Sequence, residues 1–121
     1  AAGLATLRWL QRHNPYKELE GATACFVAGL RDRAKRHGLT VTIPQLGSLF
    51  SIFFGPKAPR DFDDVLATRK ELYPVLFRRL LESGVYLPPS PFEVSFLSTA
   101  HDQKVLDETL GRFDLAFSSL A

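Results

Sequence analysis

An α+β fold, a small antiparallel sheet covered by helices, is what this sequence predicts, and three observations lead there. Helical and extended stretches fall in the order helix, helix, strand, strand, helix, strand, strand, helix. The first two extended stretches lie close enough in sequence to form a hairpin-like pair. No strand–helix–strand unit repeats, as a doubly wound parallel sheet would require. At 121 residues the chain has room for one domain, so residues 1–121 are read as a single unit.

The elements follow in order. Ala2 to Arg12 places Leu4, Leu7 and Leu10 at helical spacing, and with Trp9 it carries apolar residues on more than one side. Pro15 disfavours a helical conformation at Asn14, so Asn14 is predicted to cap a second helix with Pro15 at its first position. That helix runs through Leu19, Ala22 or Thr23, Phe26, Leu30 and Ala34 to Arg36-His37-Gly38. Glycine there suits a left-handed cap, and the cations suit the helix dipole. Leu39 to Ile43 alternates apolar and hydroxyl residues, as a strand with one buried face does. Leu49 to Phe54 is apolar on both parities and predicts a central strand covered on both faces.

Gly55 to Pro59 reads as a loop that the acidic stretch Asp61 to Asp64 continues. Thr68 and Glu71 are spaced as a capping box for a helix ending near Gly84, and Pro74 within it predicts a kink or a later start. Gly84 to Leu87 predicts a short strand, and Pro88 to Pro91 a rigid connection. Phe92 to Ser98 predicts another strand, with Val94 and Phe96 on one face and Glu93, Ser95 and Leu97 on the other. Asp102 then caps a last helix carrying Leu106, Leu110, Phe113, Phe117 and Leu120.

Composition narrows the function classes. The chain is 45% hydrophobic, 12% aromatic and 23% charged, which supplies a core and excludes intrinsic disorder. A net charge of +2, with both signs interspersed, argues against a nucleic-acid or anionic-membrane binder. No apolar stretch has the roughly 20 residues of a membrane span, and no signal peptide opens the chain. One cysteine excludes an internal disulfide and fits a reducing, cytoplasmic compartment. The absence of methionine suggests a piece of a longer protein.

Few residues offer chemistry. His13, His37 and His101 are scattered and read as surface histidines, which leaves no metal-ligand spacing. Cys25, inside a helix between Ala24 and Phe26, reads as a small buried hydrophobe. Gly47-Ser48 lacks the spacing and lysine of a phosphate loop, and no serine sits in a nucleophile elbow. Arg31, Arg33, Lys35 and Arg36, interrupted by Asp32, read as a solvated helix end. Lys17, Lys35, Lys57, Lys70 and Lys104 fall on polar faces or loops, none in the apolar setting that would suit covalent work. Glu93 stands out, because it heads the apolar run Val94 to Leu97 after a stiff Pro-Pro-Ser-Pro segment. It is either an exposed strand-edge glutamate or a carboxylate held at a pocket rim, and pattern leaves both open.

The words Gly84-Val85-Tyr86-Leu87-Pro88-Pro89-Ser90-Pro91-Phe92-Glu93 and Phe96-Leu97-Ser98-Thr99-Ala100-His101 resemble the C-terminal part of glutamate-1-semialdehyde 2,1-aminomutases. These form a family of fold-type I, class III pyridoxal-phosphate enzymes. Ala1 to Leu7, Asn14-Pro15-Tyr16 with Leu19-Glu20, and Gly47-Ser48-Leu49-Phe50 followed by Phe53-Phe54 match in the same order, so the likeness spans nearly the whole chain. Pro91 stands where the family usually has glutamine or asparagine.

The resemblance implies the small C-terminal domain of an enzyme converting glutamate-1-semialdehyde to 5-aminolevulinate for tetrapyrrole synthesis. There pyridoxamine phosphate gives an amino group to the substrate and takes the other amine back. The cofactor-binding lysine, the aspartate facing the pyridine nitrogen and most phosphate contacts lie in the large domain, so this chain is expected to be non-catalytic alone and to hold no cofactor. Its implied partners are the large domain of its own polypeptide and a second subunit in a homodimer. Glu93 matches the family's rim glutamate and is expected to act electrostatically toward the substrate's amino groups, with Ser90 holding the turn. The alternatives are a class III aminotransferase with another substrate, or a free-standing α+β interaction module.

Overall fold

The computed structural model describes residues 1–120, and its helices fall close to where periodicity puts them. They are α1 (Ala2–His13), α2 (Tyr16–Arg36), a short α3 (Phe62–Leu66), α4 (Leu72–Glu82) and α5 (Gln103–Ser118). Five two-residue strands complete the order: β1 (Val41–Thr42), β2 (Gln45–Leu46), β3 (Leu49–Phe50), β4 (Phe53–Phe54) and β5 (Ser95–Phe96). All strand pairing is antiparallel, so the expected α+β class holds.

The core lies where α2, α4, α5 and the strands converge. Phe26, Val27, Leu30 and Ala34 of α2 meet Leu106, Leu110, Phe113, Ala116 and Phe117 of α5, with Tyr73, Leu76 and Leu80 of α4 alongside. The strand region contributes Ile43, Phe50, Ile52 and Phe54. Phe26 sits edge-on to both Phe50 and Phe113, at centroid distances of 5.9 and 6.1 Å. A Cβ at Gly29 would stand 2.9 Å from Leu110 Cδ1, so glycine lets α2 and α5 approach this closely. Asp102 caps α5 as expected, accepting from the Val105 N–H at 2.9 Å.

β1 to β4 form one hairpin with an unbroken register: Val41 faces Phe54, Thr42 faces Phe53, Gln45 faces Phe50 and Leu46 faces Leu49. Its two-residue connection is Gly47-Ser48, and Gly47 has φ 57, at the position where a type II′ turn needs glycine. The predicted single strand Leu49–Phe54 is interrupted at Ser51-Ile52, and Leu49 is exposed, so it is not covered on both faces. β5 adds to β3, giving the order β2-β3-β5.

Other expectations change for physical reasons. Asn14 does not cap α2: it ends α1 at φ 41, ψ 61, left-handed, with its N–H bonded to Leu10 O. A cap needs the extended backbone that this conformation excludes, and Pro15 takes the N-cap place. Asp61–Asp64 is not loop but the start of α3, because Asp61 accepts from the Asp64 N–H at 2.8 Å. α4 takes the later start that Pro74 allowed, and no capping box forms. The Thr68 hydroxyl instead donates to the Val65 carbonyl. Gly84 to Leu87 is not a strand: Gly84, at φ 86, closes α4 with its N–H on the Leu81 carbonyl at 3.0 Å and the Val85 N–H on the Leu80 carbonyl at 2.8 Å, and the residues that follow pair with no strand. Only Ser95–Phe96 of the stretch Phe92–Ser98 is strand.

Cys25 is exposed rather than buried. The buried stripe of α2 runs through Thr23, Phe26, Val27, Leu30 and Ala34, and position 25 lies about 200° round from Thr23. The basic run is not simply solvated. Arg31 donates to the Ile43 carbonyl, while Arg36 and His37, the latter partly buried, both meet Asp114 of α5 at 3.1 and 3.0 Å.

Candidate functional site

The segment Pro88 to Glu93 is a turn with only half its backbone donors, because Pro88, Pro89 and Pro91 carry no N–H. Within it, the Ser90 hydroxyl accepts from the Phe92 N–H at 3.2 Å, and the Glu93 N–H donates to the Ser90 carbonyl at 3.2 Å. Ser90 therefore closes the turn from both its side chain and its backbone. Phe92 leans on Phe62 of α3, centroids 5.5 Å apart. The Ser51 hydroxyl reaches the Glu93 carbonyl at 3.5 Å, linking the turn to the kink of the hairpin.

Glu93 is exposed, and among the described residues its carboxylate has neither a salt-bridge nor a hydrogen-bond partner. It does act on a neighbour. The buried Tyr73 hydroxyl donates to the Pro88 carbonyl at 2.9 Å, and its pKa is pushed up from 10.0 to about 12. Burial is the main cause and the Glu93 charge the second. The structure thus brings Ser90, Glu93 and Tyr73 together. Neither Tyr73 nor Ser51 stands out in the sequence, because hydrogen bonds across 15 and 42 positions leave no local signal.

An apolar cleft of about 500 Å³ opens beside this turn, between α5 and residues 84–97. Phe26, Phe50, Leu97 and Phe113 line it, with His101 and Arg112 as polar members. Its lining runs through Pro88 and resumes at Val94, so Ser90 and Glu93 lie beside it and outside it. His101 is engaged locally, its Nδ1 accepting from the Ser98 N–H at 3.0 Å.

The residues present do not by themselves fit pyridoxal phosphate. All five lysines are exposed. The N-terminus of α5 is already filled by the Asp102 carboxylate, and α2 begins at Pro15. Among the described residues no group of three His, Cys, Asp or Glu is placed to hold a metal, and no helix is long and apolar enough to cross a membrane.

An apolar surface accompanies the turn. Leu46, Leu49 and Phe96 stand opposite one another across β2, β3 and β5, and all three are exposed, Leu46 at 78% and Phe96 at 65%. α1 buries none of its residues, and Leu4, Leu7 and Trp9 are open to solvent.

No protein-family model matches the chain. Curated proteins do. The glutamate-1-semialdehyde 2,1-aminomutase of Persephonella marina is 38% identical over 120 residues, 99% of this chain and 28% of that protein. Those of Aquifex aeolicus and Opitutus terrae are 40% identical over 119 residues and 43% over 107. They are covered to 28% and 25% of their lengths, and this chain to 98% and 88%. The chain thus spans about a quarter of the length of these relatives. Among solved structures, the FumI protein of Sphingopyxis sp. MTA144, in its PLP internal aldimine form, superposes with a TM-score of 0.78 at 32% identity. That match covers 98% of this chain and 26% of FumI. An omega-transaminase from Sphaerobacter thermophilus shares the fold, with a TM-score of 0.82 at 21% identity over 96% of this chain and 26% of its own. The match along nearly the whole chain favours an enzyme domain over a free-standing interaction module.

Proposed function

We propose that this chain, which belongs to the glutamate-1-semialdehyde 2,1-aminomutase family, is the C-terminal small domain of such an enzyme and supplies the charged rim of its active site. The whole enzyme then converts glutamate-1-semialdehyde to 5-aminolevulinate, on the way to tetrapyrroles. Pyridoxal phosphate, bound in the remainder of the polypeptide, supplies the electron sink for moving the amine. The observation that carries the reading for this chain is Glu93, an exposed carboxylate without an ion-pair partner among the described residues, at the tip of a turn that Ser90 closes. Such a group attracts the substrate's cationic amino groups and orients them at the rim, and its effect grows when the site closes and excludes water. Ser90 acts indirectly, by keeping the turn that presents the carboxylate.

The large domain of the same polypeptide is the partner in this reading, and the whole enzyme is a homodimer in the cytoplasm. Leu46, Leu49, Phe96 and the apolar residues of α1 support a covering partner, because a lone soluble domain rarely leaves so much apolar surface open. The experiment is Glu93→Gln in the full-length enzyme, which keeps shape and removes charge. Turnover is expected to fall about tenfold or more, with folding and cofactor absorbance retained. Unchanged turnover returns Glu93 to an ordinary surface glutamate. Activity on a different amino acid and none on glutamate-1-semialdehyde points to a related class III aminotransferase.

A further inference from the structure

We propose that Tyr73 is a positioning residue: its hydroxyl, bonded to the Pro88 carbonyl, fixes where the Ser90–Glu93 turn presents the Glu93 carboxylate. The inference rests on the proposed role of Glu93 and adds to it the residue that holds the turn in place.

Between Pro88 and Pro91 only Ser90 has an N–H, so backbone donors of this segment cannot stitch it to the body of the domain. It has to be held through its carbonyl oxygens, by donors from elsewhere. Two side chains provide that: Tyr73 to Pro88 O at 2.9 Å, and Ser51 to Glu93 O at 3.5 Å. The first is the shorter bond, and its donor is buried.

The geometry explains why Tyr73 is the donor. From Glu82 back to Tyr73 is nine residues of helix, about 13.5 Å at 1.5 Å per residue. Gly84, at φ 86, turns the chain back after α4, and the three steps from Val85 to Pro88 cover at most about 10 Å at about 3.3 Å each. The returning segment runs back beside α4, and at Pro88 it meets the Tyr73 hydroxyl. The Val85 N–H on Leu80 O at 2.8 Å and the Gly84 N–H on Leu81 O at 3.0 Å close the end of α4, and Tyr86 then lies edge-on to Phe77 at 6.1 Å. Tyr73, one turn of helix further back than Phe77, makes the next contact.

The hydroxyl matters separately from the ring. The ring is 4% exposed and packs as a phenylalanine would. A buried hydroxyl is costly unless bonded, so an unbonded tyrosine would be disfavoured there. Its bond to a carbonyl that no neighbouring N–H serves gives the tyrosine a task that packing alone does not require.

The test is a double-mutant cycle in the full-length enzyme, with Tyr73→Phe, Glu93→Gln and the pair assayed on glutamate-1-semialdehyde. Amide hydrogen exchange is followed at Phe92 and Glu93. Tyr73→Phe is expected to lower kcat about three- to tenfold, the size of one lost hydrogen bond, and to speed exchange at both amides. In the Glu93→Gln background it is expected to lower kcat no further, because the carboxylate it positions is gone. An equal loss in both backgrounds, or unchanged exchange, overturns the proposal and leaves Tyr73 a packing residue. If Glu93→Gln alone leaves kcat unchanged, the reading of Glu93 fails, whereas the exchange still decides whether Tyr73 holds the turn.

Discussion

α1 and α5 are both amphipathic helices, and the chain treats them oppositely. α5 buries Leu106, Leu110, Phe113, Ala116 and Phe117 against α2 and α4. α1 buries nothing, although Leu4, Leu7 and Leu10 keep a regular spacing and Trp9 stacks on His13 at 4.4 Å. Periodicity announces that a helix has an apolar face; it does not say which surface covers it. α5 finds its cover within the chain, because its apolar stripe meets a complementary one on α2 and Gly29 lets the two approach. α1 is set apart by the left-handed Asn14 before Pro15, and its cover has to come from elsewhere.

The largest effect expected from breaking this contrast is in α5. Phe113 is fully buried, with Phe26 6.1 Å and Phe117 5.6 Å away. Phe113→Ala is expected to cost about 3–5 kcal/mol, a large part of the roughly 5–15 kcal/mol that holds a domain folded. Urea denaturation followed by circular dichroism measures it. The milder Phe113→Leu keeps the site measurable if the alanine variant does not fold. A cost near zero for both would mean that α5 is no more anchored than α1.

The same contrast explains how much was legible. Helices with a covering surface inside the chain were readable: Leu106, Leu110, Phe113 and Phe117 gave α5, and Asp102 gave its start. The hairpin was readable as a pair of extended runs, but its central break was not. The break at Ser51-Ile52 comes from Pro44 on the opposite run, which has no N–H for the ladder, and the register that sets them opposite is not written in either run. Gly84 to Leu87 has strand-like residues, but Gly84 at φ 86 is the left-handed cap of α4 and the rest finds no strand partner, which composition does not reveal. In the candidate site, Glu93 was visible as a carboxylate heading an apolar run. The hydrogen bond proposed to hold its turn, Tyr73 to Pro88 across 15 positions, is a long-range contact with no local signature.

Tyr73 sits between the two extremes, a buried side chain at the exposed end of the domain, and alkaline pH measures how buried its hydroxyl is. Its pKa is pushed up from 10.0 to about 12, by burial first and the Glu93 charge second. Between these values the unfolded chain has released the proton and the folded chain keeps it, so the folded state binds more protons. Stability contributed by this group is whole below pH 10 and falls as pH rises toward 12. Urea midpoints across that window are expected to fall more steeply for wild type than for Tyr73→Phe. Glu93→Gln is expected to make the fall shallower, and parallel curves for all three would show a hydroxyl already open to water.

The smallest expected effect on stability is in α1, and there association carries the information. Leu7 is 64% exposed, and Leu115, on the outer face of α5, is 74% exposed. Leu7→Ser and Leu115→Ser should each change the stability of the 121-residue chain by no more than about 0.5 kcal/mol, as surface substitutions do. Folding therefore cannot separate the two helices at these positions. Self-association can. Leu7 belongs to a helix with Leu4 and Trp9 open beside it, whereas Leu115 stands on a helix whose other large residues are mostly covered. A contiguous apolar surface promotes association and an isolated leucine does not. Sedimentation of the chain over a range of concentrations is expected to show association that Leu7→Ser weakens and Leu115→Ser leaves alone. Equal responses would mean that α1 presents no docking face, and that its apolar residues are as isolated as Leu115.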